Sequence, residues 1–116
     1  MVIQIFGTKK CRDTQKALRF FKERRIETQF IDLAQKGVSK GELNNIRQSV
    51  PLNHLIDTEG REYDKRNLKY LVHDIEEQLL EHPLLFRTPI VRYGKKAAVG
   101  LEADTWNVWA KEIKGD

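Results

Sequence analysis

The chain has one cysteine, one methionine and three prolines in 116 residues, and the scarcities exclude several architectures. A lone cysteine cannot close an internal disulfide, which argues against a secreted fold stapled by bridges. No stretch approaches the roughly 18 consecutive apolar residues of a membrane span. The opening "MVIQIFGTKK" lacks the basic leading region and apolar run of a signal peptide, so a cytoplasmic setting is expected, where a free thiol stays reduced. His54, His73 and His82 have neither the mutual spacing nor the cysteine partners of a zinc site, and read as surface residues. Lys and Arg number 21 against 17 Asp and Glu, a net charge of +4. The cations are scattered and not interleaved with aromatics, which gives a weak pull on anionic partners and argues against a nucleic-acid groove.

What is present suits a folded, well-solvated chain: 40% hydrophobic and 33% charged residues, with a length that fits one domain over 1–116. "VIQIF" is a β-rich run ending at Gly7, and "ETQFIDL" alternates well enough for a second strand. Between them Thr14, Ala17, Leu18 and Phe21 recur at helical spacing. Strand, helix and strand in that order form a parallel βαβ unit. A helical section follows, over approximately 37–84. Ser39 and Glu42 form a capping box ahead of Leu43, Ile46 and Val50. "PLNHLIDTEG" breaks that helix. Leu68, Leu71, Val72, Ile75 and Leu79 make another stripe, with a restart signal at Asp74 and a stop at Pro83. Ile90 to Tyr93 and Ala97 to Val99 flank Gly94-Lys95, a hairpin turn. Trp106, Trp109, Ala110 and Ile113 line one side of a last helix, at core spacing.

Cys11 falls between the first strand and the first helix, among polar neighbours that make a poor setting for a core residue. A helix N-terminus presents unpaired amides and the positive end of its dipole, which favour a thiolate. Lys10 and Arg12 add charge of the same sign, and Thr14 can offer a hydroxyl. The plain alternative is an inert cysteine beside an ordinary capping residue.

"IFGTKKCRDTQKALRFF", "TPIV" and "AAVG", with the order β-α-β, helical insert, β-β-α, resemble the ArsC/Spx family over nearly the whole chain. The resemblance implies an α/β, thioredoxin-like fold with a four-stranded mixed sheet and a helical insertion after the second strand. It implies that Cys11 is the redox nucleophile and that Pro89 is cis and faces it. It also implies that the backbone of Thr88 meets the cysteinyl part of a thiol peptide such as glutathione. Arsenate reductases of the family carry an arginine directly before the cis-proline, where this chain has Thr88. The other two anion-site arginines align with Asp57 and with Gly100 or its neighbour. Spx regulators pair two cysteines as C-x-x-C, and here the second position is Thr14.

The expected function is thus a single-cysteine thiol oxidoreductase, with Cys11 and Thr14 catalytic, Lys10 and Arg12 stabilising the thiolate, and Thr88 and Pro89 holding the thiol. No bound cofactor is expected; glutathione or another external thiol serves as co-substrate, with glutaredoxin as a candidate partner. Two alternatives stay open. One is a degenerate arsenate reductase using Arg87 or Arg92 for the oxyanion. The other is an Spx-like protein that binds RNA polymerase without a disulfide switch, a partner the missing second cysteine disfavours.

Overall fold

A computed structural model describes residues 2–70 and 73–115. Strand β1 (Ile3–Gly7), helix α1 (Arg12–Glu23) and strand β2 (Thr28–Asp32) come first, β1 and β2 pairing in parallel. The insertion holds α2 (Lys40–Ile46), α3 (Leu52–Leu55), α4 (Arg61–Lys65) and α5 (Ile75–Glu81). Strands β3 (Ile90–Tyr93) and β4 (Lys96–Val99) form a hairpin turned at Gly94-Lys95, and α6 (Ala103–Lys114) ends the fold. The sheet order is β2-β1-β3-β4, with β3 antiparallel to both β1 and β4. This is the four-stranded mixed sheet of a thioredoxin-like fold.

Alternation along the strands divides the core in two. Ile3 and Ile5 of β1 and Val91 of β3 turn to one side, where they pack on Ala17 and Phe21 of α1 and Trp106, Trp109 and Ala110 of α6. Phe6 and Ile90 turn to the other and meet Leu43, Ile46, Leu55, Leu79, Leu85 and Phe86 of the insertion. The helices α1 and α6 therefore share one face of the sheet. The insertion covers the opposite face.

Local chemistry explains most of the boundaries. Ser39 Oγ accepts from the Glu42 amide at 3.1 Å while Glu42 Oε1 accepts from the Ser39 amide at 3.0 Å, the expected capping box. Asp74 caps α5 by accepting from the Glu77 amide at 3.2 Å. Gly115 closes α6 with φ of 76°, a left-handed geometry that glycine adopts at little cost.

The insertion departs from its expected form. Helix α2 stops at Ile46, so Val50, although buried, lies beyond it. The one-turn helix α3 lies within the stretch read as a break, and α4 follows directly after it, both too short to show periodicity. Leu68 opens a 3-10 turn (Leu68–Tyr70) instead of a long helix, and Leu71 and Val72 lie outside the described residues. His73 and His82 are half-buried, not surface residues. His73 meets the Tyr63 ring edge-on at 6.4 Å, and His82 Nε2 lies 3.4 Å from Arg66 Nη1.

Candidate active site

The site forms where β1 ends, α1 begins and the chain enters β3. Gly7 is the last residue of β1, and Thr8 to Lys10 turn the chain so that the Cys11 amide donates to the Thr8 carbonyl at 3.2 Å. Cys11 is the N-cap of α1; its carbonyl accepts from the Gln15 amide at 3.1 Å, and its side chain makes no capping bond. The sulfur is left half-exposed above the unpaired amides of the first turn.

From the other side comes Thr88, 77 residues away in sequence. Its hydroxyl donates to Cys11 Sγ at 3.0 Å, and Sγ lies 3.8 Å from its carbonyl oxygen. The Thr88 amide donates to no acceptor among the described residues. The Thr88–Pro89 bond is cis.

Thr14 lies one helical step below the sulfur and is fully buried. A methyl group added at Gly7 would fall on the Thr14 side chain, so the absence of a side chain at 7 lets the helix start this close to the strand. Gly7→Ala should therefore cost about 1–3 kcal/mol, the usual range for overpacking. It should also push Thr14 off the sulfur. Urea denaturation reads the first effect and Cys11 alkylation the second.

Burial pushes the Cys11 thiol up, but the hydroxyls of Thr14 and Thr88 and the amides of Thr14 and Asp13 together outweigh it. The thiol sits below its ordinary value. The two hydroxyls are not equal. Thr14 Oγ1 has no hydrogen-bond partner by geometry among the described residues, so its pull is that of a nearby dipole. Thr88, at bonding distance, is the firmer donor. Lys10 and Arg12 are exposed and do not figure among the groups that lower the thiol.

The structure thus brings together Cys11, Thr14, Thr88 and Pro89 and leaves the two candidate anion-holding arginines elsewhere. Arg87 is exposed; its Nη1 donates to the His54 carbonyl at 3.3 Å, and its guanidinium lies beside Gly100. Arg92 is tied down by Asn45 at 3.2 Å and Gln4 at 3.0 Å, in a row that continues from Gln4 to Gln29 across the insertion side of the sheet. Sequence reasoning placed the Thr88 backbone at the site but missed its hydroxyl. The signal was the residue type itself, a hydroxyl-bearing side chain directly before the proline.

Thr88, which bonds the sulfur, also helps wall a cleft of about 550 Å³ that Lys10 lines as well, although Cys11 itself does not. Thr8, Lys9 and Lys10 form one wall, the Asp32–Gln35 turn another, and Asp57, Arg61 and Glu62 a third, with Pro83, Leu84 and Phe86 between. Its size falls in the range of small-ligand sites, roughly 300–1,000 Å³.

The ArsC family pattern matches residues 6–109, from the end of β1 to the middle of α6. The chain belongs to the ArsC family. Several solved structures share this ArsC fold at low identity. The YffB protein aligns with a TM-score of 0.79 at 19% identity, over 91% of this chain and 96% of that one. An arsenate reductase from Vibrio cholerae gives 0.76 at 22%, over 90% and 94%. An ArsC family related protein from Bacteroides fragilis gives 0.78 at 22%, over 93% and 97%. Likeness at such identities shows the fold. No curated protein sequence matches the chain. Among the described residues, no helix is long and apolar enough to cross a membrane.

Proposed function

We propose that this ArsC-family protein is a single-cysteine thiol oxidoreductase that works through a mixed disulfide on Cys11. The observation that carries the reading is the half-exposed sulfur at the start of α1, accepting the Thr88 hydroxyl at 3.0 Å beside a ligand-sized cleft. A thiolate is the nucleophile in disulfide exchange. Cys11 attacks one sulfur of a disulfide; a new Sγ–S bond forms, the old S–S bond breaks, and the departing thiolate takes a proton from water. A second external thiolate then attacks the mixed disulfide and releases Cys11. The chain has no second cysteine to resolve the adduct, so glutathione, glutaredoxin or another outside thiol has to do it. The Thr88 amide, which has no acceptor among the described residues, suits a thiol peptide laid alongside as a short added strand.

Intact-mass measurement after incubation with oxidised glutathione tests the reading. A single adduct on Cys11, removed by dithiothreitol, is expected. An unmodified protein would leave the thiol without this role.

Arsenate reduction is expected to be negligible with glutathione and glutaredoxin supplied. Asp57 brings a carboxylate to the cleft lining, Thr88 offers a hydroxyl, neither Arg87 nor Arg92 is among the lining residues, and the Arg92 guanidinium is held by Asn45 and Gln4. A coupled assay showing steady arsenate-dependent turnover would reverse the choice between the readings.

A further inference from the structure

The cleft beside Cys11 contains charges of both signs, and their partners differ. Glu62 is paired with Arg66 at 3.1 Å. Asp32 Oδ1 accepts from the Ala34 amide at 3.0 Å and Asp57 Oδ1 from the Glu59 amide at 3.2 Å, each holding its own turn. Lys9, Lys10 and Arg61 are exposed on the cleft walls, and none has a carboxylate partner among the described residues. The lysines come from the turn that carries Cys11. Arg61 comes from a separate part of the lining, within the insertion, at the first position of α4. An extended ligand with its sulfur at Cys11 would therefore meet two uncommitted sources of positive charge. Pro83, Leu84 and Phe86 give its apolar atoms a surface, Leu84 being 45% exposed.

We infer that Arg61, acting together with Lys9 and Lys10, selects carboxylate-bearing thiols and disulfides as the partners of Cys11. This rests on the thiol-exchange reading and adds to it the residue that chooses the substrate. Arg61 suits the task because its planar fork pairs with a carboxylate through two parallel hydrogen bonds. The second carboxylate oxygen of Asp32 carries no hydrogen bond among the described residues and suits a ligand ammonium, so a zwitterionic peptide with excess carboxylate fits better than a simple oxyanion.

The test compares the rates at which Cys11 forms adducts with three disulfides: oxidised glutathione (net negative), hydroxyethyl disulfide (neutral) and cystamine (positive). The rate with oxidised glutathione is divided by the rate with hydroxyethyl disulfide for each variant, which cancels changes in thiol reactivity. Arg61→Gln should lower this ratio about threefold and Arg61→Glu about tenfold, as for exposed charge pairs. Cystamine should move the opposite way. Lys65→Gln removes the same charge from the same helix outside the cleft and should leave the ratio unchanged. High salt should shrink the wild-type preference. Adducts that form with all three disulfides at ratios indifferent to Arg61 would overturn the selection while leaving the exchange reading in place. Absence of any adduct from all three would overturn both.

Discussion

Cys11→Ser should abolish disulfide adducts while leaving the protein at least as stable as before. A serine hydroxyl is not ionised at neutral pH and does not displace a thiolate from a disulfide, and no other sulfhydryl exists to substitute. Stability should move the other way. Cys11 holds the N-cap of α1 without a side-chain capping bond, and serine is among the best residues for accepting from first-turn amides. A gain of up to about 1 kcal/mol is expected, at the lower end of N-cap effects. Intact mass reads the loss and a thermal melt the gain. A cysteine retained where serine would cap better is what a functional thiol implies. Residual adduct, or a clear loss of stability, would point to a structural cysteine.

The second large effect is expected at Trp106, far from the thiol along the chain but on the face of the sheet that supports α1. Its side chain is 1% exposed, and its ring lies 5.7 Å from Phe20 and 6.2 Å from Phe21. Trp106→Ala removes the largest buried group holding α6 to α1, at a cost of about 3–5 kcal/mol. That is a large part of the roughly 5–15 kcal/mol that keeps a typical domain folded. Trp106→Phe should cost far less, about 1.5 kcal/mol, because a phenyl ring still fills most of the site and the indole nitrogen has no partner among the described residues to lose. Urea midpoints for the two variants separate packing from hydrogen bonding. Equal losses would mean that the indole nitrogen matters more than the ring.

These expectations differ in how far the residues alone announced them. Trp106, Trp109 and Ala110 repeat at helical spacing, which announced the buried side of α6, whereas β1 and β3 read only as apolar runs because the sheet buries adjacent residues such as Ile90 and Val91 on both of its faces. The capping box at Ser39 and Glu42 was legible because its chemistry is local. The one-turn helices α3 and α4 were not, since four or five residues carry too little period to detect. The half-burial of His73 and His82 depends on Tyr63 and Arg66, which the chain brings in from elsewhere. At the site, Cys11 was legible from its strand-to-helix context. The Thr88 hydroxyl was not, because no local rule says which side of an entering strand faces a helix cap 77 residues away. Lys10 and Arg12 drew notice by proximity in sequence, whereas hydroxyls and amides surround the sulfur in space.

The central claim is that those hydroxyls and amides make Cys11 a thiolate more readily than a free cysteine. Alkylation rate against pH, in the wild type and in Thr88→Val, tests it most directly. Only the thiolate reacts, so the rate climbs with pH until the thiol is ionised and then levels off. A lowered thiol should put the midpoint of that rise at lower pH than for free cysteine, whose ordinary value is about 8.5. Thr88→Val removes the hydroxyl at 3.0 Å and keeps the backbone, so its curve should shift to higher pH. A wild-type curve matching free cysteine, or a variant curve that overlays the wild type, would contradict the account.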